Sequence, residues 1–186
     1  GERRGILVEH YIISSGLREI IEGTAIAKDF THIYASSFYY NEHGEPCWPA
    51  QVINYTNKTQ FLFRIEKGIL DINDNAVNDH FAEGELRVPF RNIVYIGDSA
   101  TDIPCMRLVN SLGGHSVGVY DLENTASKDT VRRMIRDERI RYYVPADYTK
   151  GSEMDILIHR IIDKTAAYEV LEEKHLRDRK EAVAKY

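Results

Sequence analysis

The chain is 186 residues long, with 43% hydrophobic residues, 28% charged residues and a formal net charge of −5. This is enough apolar content for one domain with a real core, with no basic footprint for nucleic acid as a partner. No apolar run approaches the ~18 residues of a membrane span, so a membrane is not an expected partner either. Gly1-Glu2-Arg3-Arg4 does not read as a signal peptide, and Cys47 and Cys105 are too few for a disulfide framework. The expected compartment is cytoplasmic.

Ile6-Leu7-Val8-Glu9-His10 leads into Tyr11-Ile12-Ile13, an apolar run that predicts a buried strand. Ser14-Ser15-Gly16 follows, and then a helix carrying Leu17, Ile20 and Ile21 on one face and closing at Gly23. A hydroxyl beside the backbone N–H groups of a strand-to-helix junction suits an anion. Ser14 or Ser15 also fits as a simple N-cap. Phe30 to Ala35 predicts another strand, and Phe38 to Ile53 a hairpin turning at Asn41-Glu42-His43-Gly44. Trp48 on that hairpin is expected to pack against the domain, a substrate-facing wall being the alternative.

Asn54-Tyr55-Thr56 and Asn57-Lys58-Thr59 match a glycosylation sequon, a match that is cheap by chance. Asn57 to Gln60 opens the next helix, with Phe61, Leu62, Ile65 and Ile69 apolar. A cation such as Lys58 is disfavoured at a helix N-terminus, and a nearby anion would offset the penalty. A solvated surface lysine needs no such explanation. Asp71 to Arg91 is polar and acidic and reads as a loop with one helical turn at most.

Ile93-Val94-Tyr95-Ile96 then predicts a short strand buried on both faces, ended by Gly97-Asp98, with a helix starting at Ser99. Asp98 and Asp102 are two carboxylates four positions apart at a strand's carboxyl end, where ligands bind in open α/β sheets. Such a pair suits a hard cation such as Mg²⁺. Ser99-x-x-Asp102 is also a capping box, and either reading accounts for Asp102 taken alone. Further on come a helical stripe of Ile103, Met106, Val109 and Leu112, a strand at Val117–Tyr120, a charged helix from Asn124 to Arg139 and a strand at Tyr142–Val144. A last helix is capped by Ser152-x-x-Asp155. The domain is expected to span residues 1–171, followed by a charged helical tail over residues 172–186.

Alternating strands and helices predict a parallel, doubly wound α/β sheet. Three strand–helix junctions carry chemistry in order: Ser14-Ser15-Gly16, Lys58, and Gly97-Asp98 with Asp102. This ordered set, from about Tyr11 to about Ile162, resembles the haloacid-dehalogenase-like phosphohydrolase superfamily. The hairpin after the Phe30–Ala35 strand is most similar to its phosphoserine-phosphatase-like branch. The resemblance implies a Rossmann-like three-layer α/β/α core with a small β-hairpin, and Mg²⁺-dependent hydrolysis of a small phosphorylated metabolite through an aspartyl-phosphate. It implies that Ser14, with the N–H groups of Ser15 and Gly16, binds the phosphoryl oxygens. Lys58 would neutralise charge on nucleophile and phosphoryl group, Asp98 would hold Mg²⁺, and Asp102 would act through water or orient the site.

Two features of the superfamily are missing from these residues: the Asp-x-Asp nucleophile motif after a central first strand, and the cap that follows it. The chain therefore looks like the C-terminal part of a phosphatase and is expected to be inactive alone, binding Mg²⁺ weakly or not at all. The expected partners are the small phosphorylated substrate and the missing N-terminal segment or a second copy of the chain. A different class fits the same facts: a non-catalytic binding or regulatory module that kept the scaffold without the nucleophile. Without the first strand, the Tyr11 and Ile93 strands are expected either to pair directly or to have the slot filled by another segment, such as Ile6–Glu9.

Overall fold

A computed structural model describes residues 5–183. The signal-peptide reading of Gly1 to Arg4 and the last three residues of the expected tail lie outside it. The chain divides into two compact units, residues 9–143 and residues 1–8 together with 144–186. The fold is mixed α/β, as the alternating pattern predicts.

In the first unit, β1 (Tyr11–Leu17) pairs in parallel with β2 (His32–Tyr40), which pairs antiparallel with β3 (Pro46–Gln51). A second three-stranded sheet has the order β4-β5-β6, with β4 (Val94–Gly97) parallel to β5 (His115–Tyr120). β6 (Tyr142–Pro145) lies where the two units meet along the chain. The helices of this unit are α1 (Arg18–Glu22), α2 (Thr59–Lys67), α3 (Ile103–Ser111) and α4 (Thr125–Arg136).

Two core clusters hold the unit together. One gathers Tyr95, Cys105, Met106, Val109, Val131 and Met134 around the second sheet. The other gathers Tyr34, Ile53, Phe61 and Ile65 around the first. Helix α2 contributes to both, since Leu62 sits in one cluster while Phe61 and Ile65 sit in the other. Ile13 of β1 touches both as well. Apolar residues that recur at i, i+1, i+4 along a helix form a stripe wide enough to cover two neighbouring surfaces.

Several expectations need correction. β1 and β4 do not pair, the two sheets are separate, and Ile6–Glu9 forms no strand. Each of the two is consequently an end strand, with one ladder partner. The strand at Ile93–Ile96 is also not buried on both faces: Tyr95 is 8% exposed but Ile96 is 40% exposed. Tyr95 and Ile96 point to opposite faces of the sheet, and the face that carries Ile96 is the one left uncovered at that position. β5, with a neighbour on each side, is buried at all six positions.

Leu17 belongs to β1 rather than to the following helix, and α1 buries no residue. Trp48 does not pack on the domain, being 72% exposed. The reason is length: β1 ends in register with Ser36, so the hairpin beyond it has no third strand to rest on. Pro46 and Pro49 on β3 lack backbone N–H groups, which blunts that edge against further strand pairing.

The second unit contains α5 (Glu153–Val183), which begins at an N-cap: Asp155 N donates to Ser152 Oγ at 3.1 Å, while the Asp155 carboxylate accepts from Gly151 N at 2.8 Å. The helix runs unbroken past residue 171, where a tail was expected to begin, and its residues from Glu173 onward are exposed.

Candidate functional site

Lys58 and Asp102 lie 44 residues apart in sequence, and the fold brings them into direct contact. Asn54 and Asn57, the two sequon asparagines, build the turn that delivers Lys58. Asn57 Oδ1 accepts from Asn54 N at 2.8 Å, and its Nδ2 donates to the Val52 carbonyl at 2.9 Å. Asparagine side chains that bond nearby backbone in this way set turns ahead of helices. Lys58 then occupies the N-cap position of α2 with no side-chain cap bond of its own.

On the other side, β4 ends at Gly97, Asp98 follows, and a 3₁₀ turn at Ala100–Asp102 leads into α3. The capping box between Ser99 and Asp102 forms: Asp102 Oδ2 accepts from Ser99 N at 3.4 Å and Ser99 Oγ at 3.1 Å. That accounts for one carboxylate oxygen. The other, Oδ1, accepts from Lys58 Nζ at 2.8 Å and from the Tyr95 hydroxyl at 2.9 Å. Asp102 therefore caps the helix start with one oxygen and binds Lys58 and Tyr95 with the other. The anion that the helix-end position of Lys58 called for is supplied by the chain itself.

Lys58 and Asp102 are each 6% exposed. Burial on its own raises the Asp102 pKa and is the largest single influence. The Lys58 ammonium, the Tyr95 hydroxyl and Ser99 together outweigh it, so the carboxyl is held below the usual aspartate value. Burial drives the Tyr95 hydroxyl upward, with the nearby Cys105 and Asp102 adding to the effect. Gly97 is required by the same packing, since a Cβ there would stand 2.7 Å from Cβ and Cγ of Asp102.

The remaining expected residues are placed as follows. Ser14 is half-buried in the middle of β1, and its Oγ accepts from Gly16 N at 3.0 Å. Ser15 and Gly16 are exposed, and the Ser15 carbonyl accepts from Ser36 Oγ at 3.2 Å. Ser14, Ser15 and Gly16 thus all lie within β1, so the strand–helix junction expected there falls instead at Leu17–Arg18, and α1 beyond it has only five residues. Asp98 is exposed directly after β4.

For a hard cation, Asp98 offers an accessible carboxylate. The oxygens of Asp102 are each taken by two donors, which suits orienting the site better than direct coordination. Among the described residues no group of three His, Cys, Asp or Glu side chains comes together. Tyr95 is the site residue that sequence reasoning missed. Its signal was available: two positions before Gly97 in a strand, it points to the same face as that residue.

No family model and no solved structure matches the chain. It is similar to an uncharacterized protein of Borreliella burgdorferi, with 24% identity over 161 residues that cover 79% of this chain. The match covers 55% of that relative, so the chain spans about half its length.

Proposed function

We propose that the chain is the C-terminal part of a haloacid-dehalogenase-like, Mg²⁺-dependent phosphatase that acts on a small phosphorylated metabolite. The observation that carries this reading is the buried Lys58–Asp102 contact beside the strand-ending Gly97-Asp98, which joins two motifs 44 residues apart. A strand entering between β1 and β4 is part of this reading, because the resemblance implies one and neither strand has a ladder partner on its other side.

In this reading an aspartate from outside residues 1–186 attacks phosphorus. The ester P–O bond breaks, and the leaving oxygen takes a proton from an acid on the same outside segment. Water then hydrolyses the aspartyl-phosphate to free phosphate and restores the carboxylate. Lys58 supplies positive charge where the phosphoryl oxygens gain negative charge, and Ser14 with the N–H groups of Ser15 and Gly16 fixes their orientation. Asp98 would hold Mg²⁺, whose part is to neutralise phosphoryl charge and orient the transfer.

The test is to express the chain joined to its upstream coding segment and measure Mg²⁺-dependent hydrolysis of an aryl phosphate. Activity is expected, and Lys58→Ala should lower kcat at least a hundredfold, as loss of one well-placed charged donor does in other sites, roughly 10² to 10³. Inactivity of the longer polypeptide on a broad phosphometabolite panel would overturn the reading in favour of a non-catalytic binding module.

A further inference from the structure

Tyr95 is 8% exposed, and a buried phenol needs a hydrogen-bond partner. Tyr34, buried in the other core cluster, uses a backbone carbonyl, that of Leu70 at 3.0 Å. Tyr95 instead donates to Asp102 Oδ1 at 2.9 Å, the same oxygen that accepts from Lys58 at 2.8 Å. One carboxylate oxygen therefore couples a strand residue to the lysine at the start of α2.

The plane of an aspartate carboxylate is weakly set by its own torsion, because that last rotation is broad. Hydrogen bonds have to set it. On the Oδ2 side the two contacts from Ser99 are the longer ones, 3.1 and 3.4 Å. The shorter pair at Oδ1 is thus the stronger constraint on where the carboxylate, and with it the ammonium of Lys58, is held.

We propose that Tyr95 is a positioning residue of this site, holding Lys58 in place through the shared Asp102 oxygen. The importance of that lysine for phosphoryl transfer rests on the function proposed above. The coupling itself does not. Lys58 leaves its buried position when the Oδ1 cluster opens, and Tyr95 opposes that opening.

The experiment reads the rate at which an amine-acylating reagent labels Lys58 in the folded chain, peptide by peptide, with the exposed Lys28 as internal control. Tyr95→Phe keeps the ring and removes the hydroxyl. It should speed Lys58 labelling about tenfold, the effect of losing one hydrogen bond to a charged group, and leave Lys28 unchanged. Asp102→Asn should speed it at least as much. In the Asp102→Asn background, Tyr95→Phe should add almost nothing, because its effect passes through the carboxylate.

Labelling of Lys58 at the wild-type rate in Tyr95→Phe would overturn the proposal. So would a Tyr95→Phe effect that persists in full without Asp102, or one that spreads equally to Lys28. Absence of hydrolysis by the longer polypeptide would count against the phosphatase reading, whereas labelling decides the role of Tyr95 in either case.

Discussion

A buried ion pair gives a single residue a large influence in one direction. Removing either partner leaves a buried charge without compensation, which costs about 3–5 kcal/mol. Asp102→Asn is therefore expected to lower stability by about 3 kcal/mol near neutral pH, measured by urea unfolding. Because the folded-state pKa of Asp102 is depressed, the stability it contributes is present above the ordinary aspartate value of about 3.9 and is lost as pH falls through the lower folded value. The gap between wild type and Asp102→Asn should accordingly close in strong acid. A gap that stays constant down to low pH would refute the assignment of the shift to this pair. Gly97→Ala is the steric counterpart. Its Cβ needs the space that Asp102 occupies, so the variant should unfold more easily by about 1–3 kcal/mol and label Lys58 faster. The two cysteines should also separate cleanly. Cys47 is exposed, whereas Cys105 is fully buried and its thiol is pushed up to about 11, mainly by burial. A thiol reagent at neutral pH should modify Cys47 at once and Cys105 only on unfolding. Fast modification of both in the native chain would show that the core around Tyr95 is open.

Among the elements, α2 does the most with the fewest residues. Its first end presents Lys58 to the site, its middle contributes to both core clusters, and its last turns hold the polar loop that follows. Arg64, buried within the helix, donates to the carbonyls of Ile69, Asp71, Ile72 and Asp74. Lys67 donates to those of Val77 and Asp79. A cation is well placed at a helix C-terminus, and here it also satisfies loop carbonyls that would otherwise be short of donors. Arg64→Met keeps much of the apolar stem and removes every donor. It should cost about 2–4 kcal/mol and raise backbone hydrogen exchange across residues 69–79 selectively. Uniform exchange along that loop in both proteins would mean that Arg64 is not what orders it.

At the scale of the molecule, the decisive elements are the two end strands β1 and β4. β1 and β4 each have one ladder partner, and each belongs to a parallel pair. Parallel strands are ordinarily buried, and end strands with free backbone groups invite another strand. In the chain alone, amides of Tyr95 to Gly97 should therefore exchange faster than those of β5. In the polypeptide carrying the upstream segment they should become protected, as should those of Ile12 to Ser14. Equal exchange in both forms would show that no strand enters there, and the structural half of the phosphatase argument would fall with it.

Local pattern was enough for much of this protein. The short apolar runs before Ser14 and Gly97, the turn at Gly44, the capping box at Ser99 and the N-cap at Ser152 depend on neighbours a few residues away, and all are present in the fold. The helix start at Lys58 was legible too, but its cation fitted either a nearby anion or plain solvation. Tertiary structure alone decided between them, because the choice rests on packing α2 against the end of β4 across 44 residues. The same holds for Tyr95, whose role lies in a shared carboxylate oxygen that no spacing rule encodes. Burial of the strands was likewise beyond local reading. Ile96 and Val117 sit in similar apolar runs, yet one is 40% exposed and the other fully buried. What separates them is whether a second strand lies alongside, and that is a property of the assembled sheet.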